Sequence, residues 1–345
     1  MVDLSIVITA YNRPKELVWT IESVQAAAQH CGRSFEILVV DDGSIPPISD
    51  VIQANEYHNL RILYQENKGS ASSRLNGLLE SKGVFVFLTD SDDFVVKDKF
   101  SKHIELMEKT SADCSYCRER KIWLNENREI LKVEVLAAHS PVTNSVDLLI
   151  GKDLRSNNLV YKGDKIRSVL ANAVLPPHRA YSPSGDHYIY YNLATAQMSI
   201  TGTDEVLSDY CIYQEGQLSD KRSELAFSAL RLNEDFIRSC PKGEQRQLIL
   251  PLLAERIFKS WRRLPKGTPK IHLQRLEALM SYMPKVDYTQ FGGSKFRFLA
   301  KIIGPIAAGN LLRTLSKRTF DNEYAVTAQQ YEALFESYMD SQENI

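Results

Sequence analysis

Short apolar runs alternate with segments of helical spacing along the N-terminal part of the chain, and this alternation constrains the fold more than any other sequence feature. Four runs rich in β-branched and aromatic residues predict strands, namely 4–11, 35–44, 60–67 and 84–93. The first intervening segment predicts a helix, because Pro14 stands near its start. Strands and helices that alternate at these intervals predict a largely parallel α/β sheet with crossover helices.

Polar side chains follow each predicted strand at the point where the strand ends. Asn12 follows the first strand and Asn67 the third. The second strand ends in Asp41 and Asp42, and the fourth ends in a group of three aspartates. In open parallel sheets, ligands bind beyond the carboxyl ends of the strands. We therefore expect these four polar clusters to converge on one cleft.

The three aspartates of the fourth strand end, Asp90, Asp92 and Asp93, lie within the sequence LTDSDDFV. Like charges this close together disfavour each other's ionisation unless a cation neutralises them. Clustered carboxylate oxygens suit Mn²⁺ or Mg²⁺, and the phosphates of a substrate usually complete the metal's coordination. The motif therefore predicts a divalent metal that holds a diphosphate. The dinucleotide-binding, P-loop and nucleophile-elbow motifs are absent from the sequence.

The sequence pattern changes near residue 220, and we predict two domains, an α/β domain over 1–219 and a helical region over 220–345. Between Arg246 and Arg318 the chain carries 15 lysines and arginines against three acids. A basic segment of this kind suits an anionic membrane surface, although an ordinary solvated basic face gives the same pattern. Nucleic acid is not expected as a partner, because no recognisable binding motif accompanies the charge.

The remaining sequence features predict a cytoplasmic protein, with a peripheral position on the inner face of the cell membrane as an option. The start, MVDLSIVITAYN, does not have the pattern of a secretory signal. No apolar run is long enough for a membrane span. The five cysteines are scattered, and the CxxC formed by Cys114 and Cys117 has no second pair, so we interpret them as ordinary thiols in a reducing compartment.

The segments IVITAYNR, ILVVDDGS, NKGSASSRLNG and FLTDSDD occur in the order and spacing of a known family. Over residues 3–219 the chain resembles the inverting nucleotide-sugar glycosyltransferases of family two. The resemblance implies a GT-A fold, which is a Rossmann-like, mixed and mainly parallel sheet flanked by helices, followed here by a C-terminal helical subdomain. It implies metal-dependent transfer of a hexose or N-acetylhexosamine, with inversion, from a nucleotide donor such as a UDP-sugar. The acceptor would be a glycan hydroxyl, lipid-linked on a diphosphate carrier, in O-antigen, capsule or related polysaccharide synthesis.

The resemblance also implies roles for residues of the donor site. Thr9 and Tyr11 would line the base pocket, with the Tyr11 ring against uracil. Asp41, with Asp42 beside it, would recognise the imide N–H of the base, and Arg74 would lie near the uracil and the diphosphate. From the residues alone, Asp42 begins a good turn sequence whatever the function, and a helical arginine such as Arg74 is usually a solvated charge.

In the acidic motif the resemblance implies that Asp92 holds the ribose and that Asp93 ligates the metal, with Asp92 as a second candidate ligand. Asp90 fills an acidic position whose role is less defined. Taken singly, Asp92 or Asp93 could instead cap a helix beginning near Phe94. Many relatives have a histidine near the diphosphate where this chain has Gln214.

Inversion at the anomeric carbon requires a base that removes the proton of the acceptor hydroxyl. The resemblance places this base at a helix start, where the chain reads YSPSGDHYIYYNLA and offers Asp186. His187 is the alternative, although a histidine in an aromatic helix start is more often packed. Ser184 is a candidate cap for the same helix.

Two other functions fit a sheet of this kind. A sugar-phosphate nucleotidyltransferase would carry a glycine-rich, lysine-containing loop after the first strand, but the chain has AYNRPKE there, without glycine. A non-catalytic nucleotide-sugar-binding module would keep the cleft without the reaction, and the full acidic set with Asp186 disfavours it.

Overall fold

The computed structural model describes residues 2–150, 154–213, 222–283 and 286–342. The chain divides into two compact units, Met1–Leu218 and Ser219–Ile345. Gln214 and the predicted domain boundary at 219–220 lie outside the described residues.

The first unit is built around one mixed sheet with the strand order β3-β2-β1-β4-β8-β6-β9-β5, and β7 adds to β6. The strands β1 to β4 pair in parallel, whereas β8 pairs antiparallel with both β4 and β6. This arrangement confirms the predicted fold class. The strands are β1 Leu4–Ala10, β2 Phe35–Asp41, β3 Leu60–Tyr64, β4 Phe85–Asp90, β5 Phe94–Val95, β6 Cys114–Leu124, β7 Ile130–Val135, β8 Leu159–Lys162 and β9 Ile200–Ile212.

Helices connect these strands and cover both faces of the sheet. The α-helices of the first unit are α1 Pro14–Cys31, α2 Ile48–Val51, α3 Ser70–Glu80, α4 Lys99–Thr110, α5 Gly163–Ala171 and α6 Gly185–Ala194. Short 3₁₀ helices occur at Ala54–Glu56, Ser145–Ile150, Ser156–Asn158 and Arg179–Ser184. Pro14 lies in the first turn of α1, as predicted, because proline fits a position whose N–H has no helical acceptor.

The strand β1 is buried on both of its faces. Leu4, Ile6 and Ile8 belong to the same buried cluster as Leu17 and Ile21 of α1. On the opposite face, Val7 meets α3 at a glycine, as described below. A strand buried on both faces reads as a continuous apolar run rather than an alternating one.

Three local expectations differ from the structure. The sequence of residues 49–57 predicts one helix, but the structure has only the four-residue α2 and a separate 3₁₀ turn there. No helix begins at Phe94, because the chain continues into β5, so Asp92 and Asp93 are not caps. Ser184 stands at the start of α6 but makes no capping hydrogen bond, because its backbone (φ −119°, ψ 34°) lacks the extended conformation usual for a cap.

The second unit is helical, as its sequence pattern predicts. Its helices are α7 Arg222–Ser239, α8 Glu244–Arg263, α9 Lys270–Ser281, α10 Ser294–Ile303, α11 Pro305–Thr314 and α12 Asn322–Gln342, with a 3₁₀ turn at Tyr288–Gln290. Phe258 and Trp261 of α8 and Phe296 of α10 are fully buried and form an aromatic centre. Among the described residues, no helix combines the length and apolar character needed to cross a bilayer.

Gly77 is where α3 comes closest to the sheet. A Cβ added there would lie 2.4 Å from Val7 Cγ1 and 2.9 Å from Val40 Cγ2. We expect Gly77→Ala to lower the free energy of unfolding by about 1–3 kcal/mol, because the helix must shift away from two well-packed strands. Urea unfolding measures this change. Ser72→Ala, on the partly exposed side of the same helix, is the matched control and should change stability little; equal losses in both variants would contradict the packing argument.

Candidate active site

The carboxyl ends of β1, β2 and β4 meet at one edge of the sheet. Thr9 is in register with Asp90, and Ala10 is in register with Asp41. The Thr9 hydroxyl donates a hydrogen bond to Asp90 Oδ1 at 3.1 Å. The structure therefore brings these strand ends together, as the positions of their polar residues predict. Tyr11 follows β1, and about half of its surface is exposed (49%).

Asp41 organises the loop that follows β2. Its buried carboxylate accepts the N–H of Ser44 at 2.9 Å and the N–H of Ile48 at 2.8 Å. Asn12 adds a second tie, since its Oδ1 accepts the N–H of Ile45 at 2.8 Å and its own N–H donates to Ser44 Oγ. These contacts fix the loops after β1 and β2 to each other. Asp41 thereby stabilises the loop that contains the Asp42–Ser44 turn sequence.

Asp42 holds the loop that leads from β3 into α3. Its Oδ1 accepts the N–H of Lys68 at 2.9 Å and Gln65 Nε2 at 2.7 Å, and its Oδ2 accepts the N–H of Gly69 at 2.9 Å. Three donors around one buried carboxylate make Asp42 a structural anchor for the start of α3. The Asn67 loop is thereby tied to the β2 strand end.

Arg74 is buried at the centre of the site rather than solvated. Its Nη2 lies 2.6 Å from Asp90 Oδ1 and 3.2 Å from Asp186 Oδ1. Burial acts to lower the pKa of the Arg74 guanidinium, but the charges of Asp90 and Asp186 outweigh it and raise that pKa above its usual value. The guanidinium therefore stays charged and links the end of β4 to the start of α6.

Asp186 lies in the first turn of α6, and its side chain is partly exposed. Its Oδ2 accepts a long hydrogen bond from the N–H of Ser156 at 3.4 Å. His187 packs edge-on against the Tyr190 ring, with 6.2 Å between ring centroids. The packed interpretation of His187 therefore agrees with its surroundings, and Asp186 is the carboxylate that faces Arg74.

Asp92 and Asp93 occupy different environments although they are adjacent. Asp92 Oδ2 forms an ion pair with Arg13. Burial, followed by the charge of Asp90, raises the pKa of Asp92 to about 6, and Arg13 opposes this shift. Two carboxylates with so little solvent favour a bound cation.

Asp93 is almost fully buried and is held from two directions. Its Oδ2 accepts Asn157 Nδ2 at 2.8 Å, and its Oδ1 accepts the N–H of Cys211 at 3.0 Å. Burial first, and then the charges of Asp92 and Asp90, raise the pKa of Asp93 well above its usual value.

The buried Lys99 contacts the segment around Asn157, whose side chain donates to Asp93. Lys99 Nζ donates to the carbonyl of Asn157 at 2.9 Å and to Ser208 Oγ at 2.7 Å, and it lies 4.9 Å from the centroid of the Phe87 ring. Burial lowers the pKa of Lys99. Sequence reasoning missed Lys99, Asn157 and Arg13, because only the tertiary fold brings these residues to the aspartates.

The fit of a divalent metal can be tested on the donors present. In the described part of the chain, no three acidic, histidine or cysteine side chains form a metal-binding group. Asp92 and Asp93 offer a pair of hard carboxylates. Within the described residues, each oxygen of Asp93 accepts one N–H, although a carboxylate oxygen can accept two. The pair therefore fits Mn²⁺ or Mg²⁺ only if phosphate oxygens and water complete the coordination.

Comparison with known proteins identifies the N-terminal segment. Residues 5–138 match the model of Glycosyl transferase family 2. An uncharacterized glycosyltransferase of Rickettsia felis is 31% identical over 120 residues, which cover 34% of this chain and 19% of that protein. The UDP-Glc:alpha-D-GlcNAc-diphosphoundecaprenol beta-1,3-glucosyltransferase WfaP of Escherichia coli is 34% identical over 116 residues, which cover 33% of this chain and 44% of that protein. The chain thus spans less than half the length of these relatives.

The fold extends beyond the matched segment. The structure of S. aureus TarS 1-349 in complex with UDP-GlcNAc has a TM-score of 0.62 and 14% sequence identity, covering 96% of this chain and 92% of that one. Asp186 lies outside the segment matched by the family model, so its role depends on the geometry described above. The matched segment contains the loops after β1 and β2 and the acidic motif, so residues 5–138 are similar to glycosyl transferase family 2, and the likeness to TarS shows a GT-A fold.

Proposed function

We propose that this protein is a metal-dependent inverting glycosyltransferase that moves a sugar from a nucleotide donor to a hydroxyl of a glycan acceptor. The observation that carries the proposal is the ion-pair network of Arg74. One guanidinium contacts Asp90 at the donor end of the sheet and Asp186 at the start of α6. A candidate base and the acidic motif therefore share one site.

The donor in this proposal is a UDP-sugar. Support comes from the TarS structure, whose bound molecule is UDP-GlcNAc, and from the exposed ring of Tyr11 beside Thr9. Both Asp41 and Asp42 hold loop amides, so their part in base recognition would be to fix the pocket wall and to offer remaining lone pairs to the imide N–H. The donated sugar would be a hexose or an N-acetylhexosamine.

The acceptor in this proposal is a lipid-linked glycan of a bacterial surface polysaccharide such as O-antigen or capsule. The support is the name of the Escherichia coli relative, which describes transfer to a sugar on diphosphoundecaprenol. The matched segment covers 44% of that protein, so similarity to the family does not by itself identify the acceptor.

Asp92 and Asp93 would hold the divalent metal, with Asp92 also close to the ribose. When bound, the metal neutralises the charge that develops on the departing diphosphate. The protein contributes by keeping these carboxylates in place, through Arg13 on Asp92 and through Asn157 and the Cys211 N–H on Asp93.

Asp186 would act as the general base. The acceptor oxygen bonds to the anomeric carbon while the bond from that carbon to the phosphate oxygen breaks, and the hydroxyl proton passes to the Asp186 carboxylate. Arg74 Nη2 lies 3.2 Å from its Oδ1 and attracts this carboxylate by charge.

We expect Asp186→Asn to lower the transfer rate by roughly 10²- to 10⁴-fold, because the proton acceptor is lost while the side-chain shape is kept. Binding of the UDP-sugar should survive, which isothermal titration measures alongside the transfer assay. His187→Asn is the matched control and should keep most of its transfer activity. If Asp186→Asn transferred at the normal rate while His187→Asn did not, the two roles would be reversed.

We expect Asp93→Asn to weaken Mn²⁺-dependent UDP binding by at least roughly tenfold, because neutral amides are poor ligands for hard cations. Titration of UDP with and without Mn²⁺ separates the metal-dependent part. Asp50→Asn, at an exposed position of α2, removes the same charge elsewhere and should leave binding unchanged. UDP binding that is indifferent to both Mn²⁺ and Asp93 would contradict the metal-dependent mechanism.

Asn157→Asp tests the support of Asp93 without any ligand. The change replaces the donor 2.8 Å from Asp93 Oδ2 with a carboxylate oxygen, and we expect a loss of about 2 kcal/mol or more of unfolding free energy at pH 7.5. The neighbouring carboxylates of Asp93 and the new aspartate would have higher pKa values in the folded than in the unfolded state. The loss of unfolding free energy should therefore shrink as the pH falls to 5, because the two carboxylates then share one proton. Asn127→Asp, on the surface, is the control and should show no such pH-dependent deficit.

A further inference from the structure

Helix α10 carries an apolar stripe on its outer face that packing in the second unit does not use. Phe298 and Ile302 lie one turn apart on this face and are 67% and 64% exposed. In α11, Ile306 and Leu311 are also exposed. Aromatic and aliphatic side chains of this size usually lose most of their exposure on folding, so a stripe of them on one short helix needs an explanation.

The opposite faces of the two helices are firmly packed. Phe296 of α10 lies 5.6 Å from the Phe258 ring, measured between centroids. In α11, a Cβ added at Gly309 would lie 2.3 Å from the Trp261 ring, and Arg313 Nη2 donates to the Trp261 carbonyl at 2.8 Å. Gly309 therefore marks a close helix contact and does not break the helix. Because α8 holds the inner faces, the apolar stripe cannot turn inward.

Basic residues flank the apolar stripe on both sides. At the angular spacing of an α-helix, Lys295 lies on one side of the Phe298–Ile302 line, and Arg297 and Lys301 lie on the other. All three are exposed. The sequence from Ser294 to Phe320 contains no acidic residue. The face is thus apolar along its middle and positively charged along its edges.

We propose that the outer face of α10 and α11 binds the surface of an anionic lipid bilayer. An amphipathic helix with aromatic residues on one side and lysine or arginine beside them lies in the plane of the membrane interface. Each of the two helices has ten residues, and a helix of that length reaches only about 15 Å, half of the hydrocarbon thickness. Phe298 and Ile302 would enter the headgroup boundary, and the basic residues would contact anionic headgroups.

The charge distribution favours a bilayer over a second copy of the chain. Two copies joined through this face would bring their basic residues together, and like charges in contact oppose association. A lipid surface instead offers negative headgroups beside an apolar layer, which matches both parts of the face. This inference does not depend on the proposed reaction, because it concerns the second unit alone.

The test is co-sedimentation of the full chain with vesicles of phosphatidylcholine alone and of phosphatidylcholine with phosphatidylglycerol at 3:1. Binding is expected for the anionic vesicles and should weaken as salt is raised. Phe298→Ser with Ile302→Ser should reduce binding by roughly tenfold or more, because the two apolar side chains that would enter the bilayer are lost. Leu248→Ser with Ile271→Ser removes two equally exposed apolar residues on α8 and α9 (60% and 58%) and should bind normally.

A charge variant separates the electrostatic part. Lys295→Gln, Arg297→Gln and Lys301→Gln together should weaken binding to anionic vesicles by roughly a hundredfold, at about tenfold or less for each residue. Lys109→Gln, Lys165→Gln and Lys242→Gln remove the same charge at other exposed positions and should have little effect. Equal binding by the α10 variants and their controls would overturn the proposal. A dimer in solution that only the Phe298 and Ile302 variant dissociates would overturn it in favour of self-association.

Discussion

The first unit depends on one buried cation, the guanidinium of Arg74. A charge almost removed from water is tolerated only when opposite charges compensate it, and here two carboxylates from separate elements do so. Asp90 comes from the end of β4 and Asp186 from the start of α6. The charge of Arg74 is compensated only when the fold brings the sheet edge, α3 and α6 together. The same contacts that compensate this charge therefore assemble the site.

The acidic motif raises the opposite problem at Asp93, which is held by hydrogen bonds, whereas Asp90 and Asp92 form ion pairs. Arg13 compensates Asp92, whereas Asp93 receives two neutral N–H donors and keeps a raised pKa. Lys99 sits beneath and donates to the carbonyl of Asn157 instead of to a carboxylate. The protein thus fixes the position of Asp93 without neutralising it. Such an arrangement is compatible with the cation binding that we propose for Asp93.

The sequence predicts much of this architecture because periodicity and strand-end chemistry are local signals. The first four strands, α1 and the helical second unit all follow from apolar patterning, and Thr9 and Asp90 meet because parallel strands end together. The residues that hold the site's charged side chains in place cannot be recognised from a local sequence pattern. Asn157 is 64 residues from Asp93, and Lys99 reads as an ordinary charge at a helix start until the fold buries it. Arg74 likewise reads as solvated, because its partners are supplied by tertiary structure.

In the second unit, the inner and outer faces of α10 and α11 differ in how their apolar side chains are used. Trp261 contacts Gly309 and Arg313 of α11, and its ring stacks with Phe258. The inner side of this helix pair is therefore closely packed. Exposed Phe298 and Ile302 add nothing to that packing, and polar residues there would satisfy the fold equally well. The inner faces of these helices are closely packed, whereas the outer face is apolar and basic and has no acidic residue. Binding to an external surface explains this outer face better than the stability of the unit does.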